Sequence, residues 1–113
     1  MRLAAVGDIH GREFLEPFRD SLVAVEDPDL FLVAGDLTDH NRVEEFGEVV
    51  AAVKARVACP IVCIFGNNEY PADHGTYRQA HDMTYLEDED RTFTVGGESL
   101  RIIGTTGSLD EPT

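Results

Sequence analysis

Residues 30–39 read LFLVAGDLTD, and this stretch decides the fold. Positions 30–34 are apolar without alternation, the pattern of a strand covered on both faces, as in a parallel sheet. The run then breaks into Gly35-Asp36-Leu37-Thr38-Asp39, so a polar cluster follows the strand directly. The same arrangement recurs on either side. Residues 2–7 read as a short apolar strand ending in Asp8-Ile9-His10, and residues 61–65 as another ending in Gly66-Asn67-Asn68-Glu69.

The intervening segments have helical spacing. In 13–25, Phe14, Leu15, Phe18, Leu22 and Val25 share one stripe, Pro17 sits early where a missing N–H costs least, and Pro28 marks the end. In 42–57, Val43, Phe46, Val49, Val50, Val53 and Val57 form a second stripe, with Asn41 as a reasonable N-cap and Pro60 beyond. Strand, helix, strand, helix, strand is a βαβαβ unit with right-handed crossovers. Residues 66–83 are polar and turn-rich, with one helical turn expected at 77–80. Residues 92–95 and 100–103 flank Gly96-Gly97 and predict a β-hairpin. Residues 104–113 read as an irregular tail. The fold class is therefore α/β, a parallel βαβαβ unit followed by a hairpin, in a single domain spanning 1–113.

Charge narrows the partners. Twenty-two Asp and Glu oppose nine Lys and Arg, a formal net charge of -13, and Lys54 is the only lysine. Such a surface repels duplex nucleic acid and anionic membranes. Acid dispersed along the whole chain also suits a salty cytoplasm, where screening relieves self-repulsion. No apolar run approaches the roughly 20 residues of a membrane span, and the opening residues are too short a run for a signal-peptide core, so a cytoplasmic location is expected. Cys59 and Cys63, four apart on an extended strand, would stand about 13 Å apart, beyond disulfide reach, and read as small buried hydrophobes.

In a parallel unit the three polar clusters converge, because the carboxyl ends of neighbouring strands share one edge about 4.8 Å apart, where α/β sheets bind ligands. The residue types suit hard-to-borderline divalent metals. Asp8 and Asp36 bring anionic oxygen, His10 a neutral nitrogen and Asn67 an amide oxygen. On an extended segment Asp8 and His10 would point to the same side. Asp36, on the middle strand, could bridge two cations. Gly35 and Gly66 would allow close backbone approach just before the ligands.

The order D-x-H, 24 residues, G-D-x-x-D, 26 residues, G-N-x-E resembles the calcineurin-like metallophosphoesterases over residues 1 to about 110. The resemblance implies that Asp8 and His10 bind a first metal, Asp36 bridges, and Asn67 binds the second, with Asp39 in support. It implies divalent manganese, or else iron or zinc, in an αββα sandwich of which this chain is the N-terminal part. The implied reaction is attack of a metal-bridged hydroxide on a phosphate mono- or diester.

Two positions depart from the family pattern. Asn68 stands where the family usually has a histidine that assists the leaving group. An amide can donate a hydrogen bond there but cannot act as general acid. The later Gly-His and Gly-x-His motifs that complete the family's metal sites are absent. His74 and His81 lie in the polar segment, where they, like His40, read as solvated loop residues, with His74 a conceivable substitute ligand. The expectation is a truncated domain, its second sheet unfinished, weakly active or inactive alone, with self-association through the uncovered sheet. The rival reading is a non-catalytic metal- or phosphate-binding module completed by a partner or a second copy. A nucleotide-binding α/β domain has no support, since neither phosphate-binding glycine motif occurs.

Overall fold

The computed structural model describes residues 1–105. Four strands form a parallel sheet in the order β1 (Leu3–Val6), β2 (Leu30–Val33), β3 (Ile61–Cys63), β4 (Thr84–Tyr85). The register pairs Leu3 with Leu30, Phe31 with Ile61, and Cys63 with Tyr85. Helices α1 (Leu15–Leu22) and α2 (Val43–Arg56) make the first two crossovers, and α3 (His74–Ala80) lies in the third. A separate antiparallel hairpin, β5 (Glu89–Val95) with β6 (Glu98–Gly104), turns at Gly96-Gly97. The α/β reading and the hairpin thus hold.

Alternation along the strands explains the layers. Phe31, Val33, Ile61 and Cys63 face one way and join the buried residues of α1 and α2, with Phe46, Val49, Val50 and Val53 as the α2 stripe. Leu30, Val62 and Leu86 are buried outside that cluster. Gly104 at the end of β6 comes against Leu86 and Ile64, so closely that a Cβ there has no room.

Five expectations need correction. β1 is not covered on both faces; it is an edge strand, with Leu3 49% exposed. Strand β4 went unforeseen, because two residues carry no periodicity. It is anchored by Tyr85, which stacks on Phe65 at 5.4 Å and donates to the carbonyls of Tyr77 and His81. Helix α1 stops at Leu22, short of the expected Val25. The chain there tightens into i→i−3 bonds, and the Arg56 guanidinium donates to the carbonyls of Leu22, Val23 and Val25 at the end of the helix. Asn41 is not the cap of α2, since Arg42 holds that place without a side-chain bond. Of the expected irregular tail, Gly104 belongs to β6, and residues 106–113 lie outside the described residues.

Both cysteines are free thiols, Cys63 buried and Cys59 half-buried, and burial raises both above the ordinary thiol value. No helix among the described residues is long and apolar enough to cross a membrane.

Candidate metal centre

Three loops leave the carboxyl edge of β1, β2 and β3, and main-chain bonds tie the first to the second. The N–H groups of Asp8, His10 and Gly11 donate to the carbonyls of Gly35, Asp36 and Leu37 at 2.9–3.0 Å. The second and third loops meet backbone on backbone. Gly35 has φ +88°, and a Cβ on it would stand 2.5 Å from Gly66 N. A Cβ on Gly66 would collide with the Asp36 carboxylate. Both glycines are therefore needed for close approach, as expected.

Side chains from this edge converge. One atom each of Asp8, His10 and Asp36 lies within 4.8 Å of the other two, with His10 Nε2 3.4 Å from Asp8 Oδ1. The shared strand edge brings them together as expected, but the local conformation differs from the one expected. Asp8 and His10 are not on an extended segment. They have φ 56° each, and Asp36 has φ 54°, all in the left-handed region. That region costs a non-glycine residue roughly 1–2 kcal/mol. Such strain persists only where surrounding contacts enforce it, and it gathers at functional sites.

The main-chain bonds above enforce it at Asp8 and His10, and at Asp36 a contribution comes from Glu69. Its fully buried side chain accepts the N–H groups of Asp36 (2.8 Å) and Gly66 (3.0 Å) on Oε1 and that of Thr38 (3.2 Å) on Oε2. Burial pushes this carboxyl above its ordinary value, against the pull of those three N–H groups, and the nearby Asp36 charge adds to the rise. A second buried carboxylate, Glu45, accepts the Thr38 hydroxyl (3.3 Å), Asp39 N–H (3.4 Å) and the Arg42 guanidinium (3.4 Å). Burial works to raise Glu45, but the Asp39 N–H and Arg42 outweigh it, and the group lies below its ordinary value.

Asn68 reaches both neighbouring loops. Its N–H donates to Asp36 Oδ1 (2.8 Å), its Oδ1 accepts His40 N–H (3.2 Å), and its Nδ2 is 3.4 Å from His10 Nδ1. Asn67, one residue earlier, is exposed, and its amide has no hydrogen-bond partner among the described residues. Asp39 is outside the converging trio, with Oδ1 3.7 Å from His40 Nε2. Asn41 accepts from Tyr70 N–H and the Tyr77 hydroxyl, both at 2.8 Å, and donates to Asp73, joining the second loop to the third.

Two histidines are not where they were expected. His74 is no solvated loop residue: its side chain is only 13% exposed, and its ring stacks on Phe65 at 4.0 Å. His81 begins the turn after α3, its ring 5.6 Å from that of Phe46. Burial lowers its pKa and Lys54 adds to the effect. His40 is exposed, as read from the sequence.

Residues 1–110 match the calcineurin-like phosphoesterase family. The chain belongs to that family. No curated protein sequence matches it. The family is one of metal-dependent phosphoesterases, and the residues present fit such a metal. An ion with ligand bonds of about 2.0–2.2 Å holds its donors about 3–4.4 Å apart, close to the spread seen here. Two carboxylates and an imidazole on a partly open edge are donors suited to a divalent ion. The residues that sequence reasoning passed over are the braces, Glu69, Glu45 and Asn41. Glu69 ended the G-N-x-E motif in plain sight, but nothing local marks its carboxylate as the acceptor for a loop 31 to 33 residues away.

Proposed function

We propose that this chain binds divalent metal through Asp8, His10, Asp36 and Asn67, and hydrolyses phosphate mono- or diesters at a two-metal site in which Asp36 is shared. The convergence of Asp8, His10 and Asp36 within 4.8 Å, on loops braced by Glu69, carries the reading. The mixed oxygen and nitrogen donors favour manganese, with iron or zinc as alternatives. Bound there, such ions supply Lewis-acid charge that offsets the phosphoryl charge and makes water a better nucleophile.

The chain's own groups divide the remaining work. Asp36 offers its second carboxylate oxygen, because Oδ1 already accepts Asn68 N–H. Asn67, exposed and without a hydrogen-bond partner among the described residues, is the residue we assign to the second ion. Asn68, within 3.4 Å of His10, is the residue we assign to the substrate side. It has no titratable proton near neutral pH, so diesters and esters with good leaving groups are the favoured substrates.

A second reading is a non-catalytic metal- or phosphate-binding module completed by a partner or a second copy. One observation favours it: among the described residues the second metal has only Asp36 and Asn67, since His74 is committed elsewhere. Calorimetric titration with manganese, alongside hydrolysis of p-nitrophenyl phosphate and its bis ester, tests the assignment. Asp36→Ala should abolish binding and turnover more completely than any other single change. An Asp36→Ala protein that binds manganese as tightly as Asn67→Ala overturns the shared-ligand role. Manganese binding without hydrolysis of either ester supports the module.

A further inference from the structure

We infer that His74, steadied by Glu87, is a positioning residue for the metal-binding loops, acting by fixing the peptide group between Glu69 and Tyr70. The inference rests on the metal-centre reading above and adds a residue outside the ligand set. His74 opens α3, with no ligand-like motif around it. Its Nε2 lies 2.8 Å from the carbonyl oxygen of Glu69. A carbonyl can only accept, so Nε2 carries the hydrogen. Its Nδ1 lies 2.8 Å from Glu87 Oε1, and the other oxygen of Glu87 accepts from Arg78, one turn further along α3. Both ring nitrogens are thus engaged, and neither is open to a cation. The imidazole cannot serve as the substitute ligand suggested by its place in the chain.

The same peptide group is held from its other end. Its N–H, on Tyr70, donates to Asn41 Oδ1 at 2.8 Å. A peptide plane gripped at both its carbonyl and its N–H has no rotational freedom left. Glu69 is consequently bonded through every polar group it has. Its N–H donates to Gly66 O, its carbonyl accepts from His74, and its carboxylate gathers Asp36, Thr38 and Gly66. If the peptide plane is released, the Cα of Glu69 is held less firmly, and the base of its side chain can shift. The Asp36 loop then loses the acceptor that holds its strained backbone, and the Asn68 loop loses its tie at Gly66. The ring's stack on Phe65, 4.0 Å between centroids with planes 20° apart, fixes the imidazole so that it can act as a support rather than follow the loop.

His74→Phe keeps the stacked ring and removes both bonds; His74→Gln keeps a donor for the Glu69 carbonyl. Two readouts apply. In metal-free protein, amide hydrogen exchange at Asp36, Thr38 and Gly66 should quicken by about tenfold in His74→Phe, the scale of one hydrogen bond. The β5–β6 amides should be unchanged. Manganese affinity should fall about tenfold, the low end of what loss of an outer partner costs a metal site. His74→Gln should recover most of both effects. Glu87→Ala, which leaves the buried ring in place, should give a smaller change in the same direction.

Unchanged exchange at the three amides in both His74→Phe and Glu87→Ala overturns the inference. So does uniform acceleration that includes the hairpin, which would make His74 a general stabiliser. Should the wild-type chain bind no manganese, the metal-centre reading fails, and the exchange data still decide the role of His74.

Discussion

The loops at the carboxyl edge and the β5–β6 hairpin are built on opposite principles. In the loops, five non-glycine residues adopt left-handed backbone: Asp8, His10, Asp36, His40 and Asn41. Buried Glu45 and Glu69 hold the backbone in place, Glu69 through partners 31 and 33 positions away. In the hairpin, the positive φ angles fall on Gly96 (58°) and Gly97 (84°), where they are free of steric cost, and the turn suits the twist of the strands. Its cross-strand contacts, Thr94 with Ser99 and Asp90 with Arg101, join near neighbours in sequence and are exposed. One region stores strain and restrains it from afar, whereas the turn and cross-strand pairs of the other are supplied by its own sequence. A region of the first kind can hold side chains in a geometry the backbone would not choose, and a ligand site requires that.

The largest effect should come from cutting the long-range restraint. Glu69→Ala leaves the N–H groups of Asp36, Thr38 and Gly66 buried without acceptors, at roughly 3 kcal/mol or more in total. Urea unfolding should show that loss, and calorimetry should show manganese binding strongly weakened, though less than in Asp36→Ala. A cost below about 1 kcal/mol would mean that water replaces the carboxylate and the restraint lies elsewhere.

Salt should separate the regions next. With a net charge of -13 and one lysine, melting temperature should rise steeply with potassium chloride to molar concentration. The hairpin's exposed ion pairs should gain nothing from it. A melting temperature constant from about 0.1 M, where the Debye length is already about 10 Å, to 2 M would remove repulsion as a factor.

The smallest effect belongs to the hairpin. Arg101→Ala breaks an exposed pair with Asp90 and should cost only about 0.2–1 kcal/mol, with manganese affinity unchanged. An effect approaching that of Glu69→Ala would erase the distinction between the regions.

How much was legible in the sequence follows the same division. Helix α2 was read as 42–57 and runs Val43–Arg56, and the hairpin strands extend three residues or fewer beyond their expected ends. Periodicity and a Gly-Gly turn are local signals, so these elements declare themselves. The convergence of Asp8, His10 and Asp36 was also legible, because parallel strand order brings carboxyl ends together whatever the loops do. The turn conformations at Asp8 and His10 were not, since only the main-chain bonds to Gly35 and Asp36 impose them. Likewise His74 and His81 sit in a stretch that looks solvated by composition. Their burial depends on Phe65 and Phe46, contributed by other elements.

The left-handed trio also bears on grafting this centre into another scaffold. Copying Asp8, His10 and Asp36 onto ordinary strand ends would transfer the chemistry without the geometry, because these three backbones have φ 56°, 56° and 54°. Asn, Asp, His and Gly are the residues that tolerate such turns, so the alphabet for exchanging ligands here is short. Lengthening a carboxylate to Glu, or trying a β-branched donor such as Thr, would meet resistance from the main chain before any metal was offered. A portable version of the site is therefore three interlocked turns, the second and third joined by the Glu69 carboxylate and the first held by main-chain bonds, and the side chains they carry can be exchanged only within that short alphabet.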